Sequence, residues 1–82
     1  MNITSFAAQY GFDITESHGF YLLTRPIDGD SLTIDVWPDH TVIVSEYDYP
    51  AGRWIELDRF TYDSEDNLFG RLSRWTGSRE DS

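Results

Sequence analysis

Ser17 and His18 stand side by side, as do Asp39 and His40, and these are the only two histidines of the chain. Serine, histidine and aspartate are the ingredients of nucleophilic hydrolysis, but a working triad gathers nucleophile, base and orienting acid from distant segments. Neighbours along a turn lack that geometry, and no Gly-x-Ser-x-Gly elbow holds Ser17. Asp35 and Glu56 have the chemistry of a glycosidase acid and base pair, which needs one carboxyl of raised pKa beside a sugar-sized cleft. A chain of 82 residues offers little material for such a cleft. Asp28-Gly29-Asp30 opens like a calcium loop, yet the later Gly and terminal Glu do not fall at the EF-hand offsets. Glu46 and Asp48 share one face of an extended segment and by themselves hold a divalent ion weakly at best. There is no cysteine and no lysine, which removes thiolate, disulfide and Schiff-base chemistry, and no glycine-rich phosphate loop. The residues therefore predict a protein that is not an enzyme and carries no metal or cofactor.

Charge is the stronger signal. Fifteen acidic residues oppose six arginines, a formal net charge of −9. Direct binding to nucleic acid or to an anionic membrane is disfavoured, because affinity there comes from cations that neutralise phosphates. The same field accelerates encounter with a basic protein partner, and basic surfaces belong most often to proteins that bind nucleic acid. Solubility alone is the plainer reason for acidity, and a saline habitat or coding bias would equally remove lysine. The first residues lack a basic and apolar leader, and no run approaches the roughly 20 apolar residues of a membrane span. The expected location is the cytoplasm.

These side chains need a scaffold, and thirteen aromatic rings with dense β-branched runs (Ile34, Val36, Val42, Ile43, Val44) supply the burial for one. Ile3, Phe6, Ala7 and Tyr10 recur at helical spacing, with Asn2 or Thr4 as N-cap and Gly11 as stop, so the spacing predicts a helix over 3–10. Phe12 to Thr15 reads as an edge strand before the turn Glu16-Ser17-His18-Gly19. From Phe20 to Thr61 the period is two, interrupted by Asp28-Gly29-Asp30, Pro38-Asp39-His40 and Pro50-Ala51-Gly52. Strands are expected over Phe20–Arg25, Leu32–Trp37, Thr41–Tyr47 and Arg53–Thr61. Connections this short rule out parallel crossovers, which makes the sheet an antiparallel meander of four or five strands. Ser64 caps a final helix with the apolar stripe Leu68, Leu72 and Trp75, widened by Phe69, and Gly77 as its stop. The chain is expected to be a single α+β domain over 1–77, its C-terminal helix packed on one face of the sheet, followed by a frayed acidic tail over 78–82.

Through Gly52 eight acids meet one arginine, and from Arg53 onward seven acids meet five. Alternation puts Leu32, Ile34 and Val36 on one side of their strand and Asp35 and Trp37 on the other. In the last strand Ile55 and Leu57 oppose Trp54, Glu56, Asp58 and Phe60. With the helices on the aliphatic face, the opposite face is expected to present Asp35, Glu56 and Asp58 among Trp37 and Trp54. Carboxylates there would pair with basic side chains while the rings act as anchors. Asp35, Trp37, Trp54, Glu56, Asp58, Glu46 and Asp48 are the candidate partner-binding residues.

In general profile, small, acidic, cysteine-free and without a catalytic motif, the chain resembles the phage-encoded antagonists of bacterial defence, the anti-CRISPR and anti-restriction proteins. The likeness is compositional and transfers no residue roles. The acidic, aromatic-bearing face predicts an inhibitor that occludes the basic, nucleic-acid-binding site of a larger protein, in the host cytoplasm if the chain is phage-encoded. The alternatives are an immunity protein or antitoxin that neutralises a basic nuclease, and a structural component that self-associates, for example as a homodimer through an edge strand.

Overall fold

The computed structural model describes residues 2–27 and 30–75. The expected stop at Gly77, the tail over 78–82 and the tip of the turn at Asp28-Gly29 lie outside the described residues. The order of elements is helix α1 (Ile3–Tyr10), strands β1 (Asp13–Ser17), β2 (Phe20–Ile27), β3 (Asp30–Val36), β4 (Thr41–Asp48) and β5 (Arg53–Thr61), then helix α2 (Glu65–Leu72) with a 3-10 turn, Ser73–Trp75. The five strands form one antiparallel sheet in the order β1-β2-β3-β4-β5, each paired with its sequence neighbour. The architecture is α+β, an antiparallel meander flanked by two terminal helices. None of the described helices is long and apolar enough to cross a membrane.

Each helix begins where a short polar side chain satisfies an orphan N–H. Ser5 N–H donates to Asn2 Oδ1 at 2.8 Å, and Asn67 N–H to Ser64 Oγ at 3.3 Å. Gly11, at φ 77°, closes α1 in the left-handed conformation and its N–H returns to the Ala7 carbonyl. The turn from β1 to β2 has two left-handed residues in succession, His18 at φ 53° and Gly19 at φ 84°. That is the tight hairpin whose twist matches its strands. The β3–β4 connection uses a turn closed by His40 N–H to the Trp37 carbonyl at 3.0 Å, then His40 itself at φ 72°. Both histidines are therefore turn residues. Pro26 falls within β2, beyond the end of β1, where that side of the strand has no ladder to lose.

The core lies on one side of the sheet. Leu23, Leu32, Ile34, Val36, Val42 and Val44 project from the three central strands against Phe6, Ala7, Phe12, Leu68 and Leu72. Phe6 is the hub of the aromatic layer, with ring centroids 5.1 Å from Phe69 and 5.0 Å from Tyr10. Leu57, Phe60 and Trp75 pack on the margin of this core. The opposite face of the sheet has no such covering layer among the described residues.

Candidate functional site: the open face of the sheet

Register decides which side chains share the open face. Thr24, Thr33, Ser45 and Glu56 lie opposite one another across β2 to β5, and Asp13 opposes Thr24 at the β1 edge. The next row holds Thr15, Leu22, Asp35, Ile43 and, at the β5 end, Arg59. Tyr47 and Trp54 form a row on one side. On the other side Phe20 meets Trp37 edge-on at 4.5 Å. The face is thus a stripe of hydroxyls ending in carboxylates, with a single aspartate beside it and aromatic rings at both margins. Phe20, Leu22, Thr24, Thr33, Asp35, Ser45 and Trp54 line a cavity of about 500 Å³ on this face.

The rings at the margins are open to solvent. Trp54 is 59% exposed and Trp37 43% exposed. Tyr47 supports Trp54 at 5.0 Å and also meets Tyr49 at 4.8 Å, so Trp54 stands on an aromatic neighbour rather than hanging free.

Asp35 is half-buried, and no hydrogen bond or ion pair holds its carboxylate among the described residues. Directly opposite it are the apolar Leu22 and Ile43. Burial pushes its pKa above the ordinary aspartate value, because the charged form gives up solvation without a compensating cation. Glu56 differs. Arg59 donates to its two oxygens at 3.2 and 2.9 Å, and this fork holds the carboxyl below its usual range.

The expectation that Asp58 and Phe60 share this face is overturned by one residue. Val44 opposes Asp58 while Ser45 opposes Glu56, leaving Leu57 as an extra, unpaired residue of β5. Such a bulge inverts the side-chain phase beyond it. Asp58 and Phe60 accordingly turn towards α2. Arg71 donates to Asp58 at 2.9 and 2.8 Å and lies 4.8 Å above the Phe60 ring. The Asp58 side chain is only 10% exposed. Its pKa is lowered chiefly by Arg71, with a smaller pull from the Trp75 indole, whose buried N–H forms no well-aligned hydrogen bond of its own. The same bulge brings Arg59 to the side of Glu56.

Glu46 and Asp48 do share a face of β4, as alternation requires, but it is the face opposite Asp35: Glu46 aligns with Leu32 and Ile55. Asp48 ends β4 and anchors the turn that follows, its carboxylate accepting the Ala51 N–H at 3.3 Å and its carbonyl the Gly52 N–H at 2.7 Å. The seven candidates therefore divide into Asp35, Trp37, Trp54 and Glu56 on the open face, and Glu46, Asp48 and Asp58 on the other. Phe20, Leu22, Thr24, Thr33, Ile43, Ser45, Tyr47 and Arg59 also lie on the open face and were not singled out from sequence. The segments Phe20-Tyr21-Leu22-Leu23 and Val42-Ile43-Val44 are apolar in both phases, a sequence signal that both sides of the sheet matter.

Ser17 Oγ and His18 Nδ1 are 3.3 Å apart on an exposed turn, and among the described residues no carboxylate hydrogen-bonds to that ring. His40 stacks on Tyr62 at 4.4 Å, with Nδ1 3.2 Å from the Tyr62 carbonyl. A further hollow of about 610 Å³ lies between the end of β5 and α2, but its Arg71 is already engaged by Asp58. No three His, Asp or Glu side chains gather into a cation-holding group among the described residues. No family model matches the chain, and neither a curated protein nor a solved structure matches it.

Proposed function

We propose that this domain is a non-enzymatic, protein-binding inhibitor that lays the open face of its sheet on a basic, nucleic-acid-binding site of a larger protein and blocks that site by occlusion. The observation that carries the reading is the uncovered face itself, which holds two exposed tryptophans and an uncompensated carboxylate in a chain of net charge −9. Aromatic anchors dominate interface energies and acidic fields accelerate encounter with cationic surfaces. The acidic face is narrower than alternation alone implies: Asp13 and Asp35 contribute to it, Glu56 does so paired with Arg59, and Asp58 does not. The compositional likeness to phage anti-defence proteins supports this reading, in which the protein acts in the cytoplasm of the host.

The test is capture from host lysate on the immobilised domain at low salt, followed by a salt gradient. A basic nucleic-acid-binding protein should be retained, elute as ionic strength rises and be displaced by its own nucleic acid. Replacing Trp37 and Trp54 together by alanine should weaken capture by about 2 kcal/mol or more, the scale of interface anchors. Retention of nothing, or equal retention by the double variant, would sink the reading.

A further inference from the structure

The open-face cavity combines a carboxylate, hydroxyls and aromatic walls in an arrangement suited to one kind of side chain. Resting on the reading that the partner is basic, we propose that this cavity receives a single arginine side chain from an extended segment of the partner, with Asp35 as counter-ion and Phe20 and Trp54 as walls.

A guanidinium presents five N–H donors in a planar fork. The Asp35 carboxylate accepts two of them in the bidentate geometry that favours arginine. The hydroxyls of Thr24, Thr33 and Ser45 line the same cavity and supply acceptors for the rest. Thr33, only 7% exposed, forms the floor. Trp54 and Phe20 lie in the lining, and a planar, weakly hydrated cation gains on an aromatic face where a compact ammonium gains less. The apolar Leu22 and Ile43 flank Asp35 and offer its carboxylate no polar partner, so that a cation delivered there restores what the carboxylate lost on partial burial.

Among the described residues, none of the chain's arginines lines the cavity. Arg59 is held by Glu56, Arg71 by Asp58, and Arg25 donates to the Tyr10 carbonyl at 2.6 Å on the other side of the sheet. Arg53 aligns with Asp48 across the β4–β5 ladder, in the phase opposite Asp35.

The experiment titrates the isotopically labelled domain with three synthetic peptides, acetyl-Gly-Arg-Gly-Arg-Gly-amide and its lysine and citrulline counterparts, and follows backbone amide and indole resonances. The arginine peptide should shift Thr33, Asp35, Ser45 and the Trp54 indole, bind several-fold tighter than the lysine peptide, and far exceed the neutral citrulline peptide. Asp35→Asn, shown to be folded by its own spectrum, should lose tenfold or more of the arginine affinity. Glu56→Gln, which leaves the cavity intact, should lose much less. If Asp35→Asn binds as well as the parent while salt still abolishes both, the pocket falls and the basic-partner reading survives. If the arginine and lysine peptides bind alike, the guanidinium assignment falls. If the parent binds none of the peptides, the pocket falls, and the lysate capture above judges the wider reading separately. A parent that sediments as a dimer, dissociated by Asp35→Asn, would make a second copy the occupant and overturn the proposal.

Discussion

Asp35 and Asp58 project from the same sheet, yet their environments drive them apart. Arg71 sits on Asp58 at 2.8 Å and lowers its pKa, whereas Asp35 has only apolar cross-strand neighbours and is raised. A lowered carboxylate contributes stability that is present above its unfolded pKa, about 3.9, and is lost as pH falls through the folded value. Asp58→Asn should therefore destabilise the domain by about 1–2 kcal/mol at pH 7, a figure reduced because Arg71 is 38% exposed. The gap should close below about pH 4 in urea titrations. For Asp35 the sign reverses, since its stabilising contribution is full below the unfolded pKa and disappears as pH rises through the higher folded one. Asp35→Asn, which mimics the protonated form, should make the free domain more stable at neutral pH, with the gain vanishing towards pH 4. The same change that stabilises the domain should weaken its binding. Residue types alone showed that both aspartates were candidates. Their pairing was not legible, because it depends on a helix residue thirteen positions further along the chain.

At the scale of elements, local chemistry explains most of what is observed. Helix α1 starts and stops at Asn2 and Gly11 because a cap and a left-handed glycine are nearest-neighbour devices. The β1–β2 turn requires two left-handed residues, and His18 fills the first at a steric cost that asparagine tolerates better. His18→Asn should stabilise the domain by about 0.5–1 kcal/mol in equilibrium denaturation; a loss of stability would show that the His18 ring does more than touch Ser17. The bulge at Leu57 is the element-scale feature that alternation could not reveal. Deleting Leu57 would restore strict pairing and leave Glu56 opposite Ser45 and Asp58 opposite Val44, each on the side it already occupies. The deletion should therefore cost the core contact of Leu57 while the pH dependence that Asp58 confers on the urea midpoint persists; loss of that dependence would show that the bulge itself aims Asp58 at Arg71.

At the scale of the whole molecule, a small domain with a one-sided core depends on few side chains. Leu72 is fully buried beneath the sheet, and Leu72→Ala should destabilise by about 2–5 kcal/mol in thermal or chemical unfolding. Binding through the open face should weaken as salt rises, because the Debye length shrinks from about 8 Å at physiological ionic strength to about 3 Å at 1 M. The pattern of caps, turns and alternating residues, read without a structure, determined the α+β order, the antiparallel meander and the aliphatic face that meets the helices. Each of these follows from interactions within a few residues or from connections too short for any other topology. Only the tertiary structure decided which acids face outward. One extra residue in β5 inverted the phase beyond it, Arg71 reached back to Asp58, and a cavity on the open face was assembled from side chains of four strands. Those outcomes rest on cross-strand register and helix docking, which no local run of residues encodes.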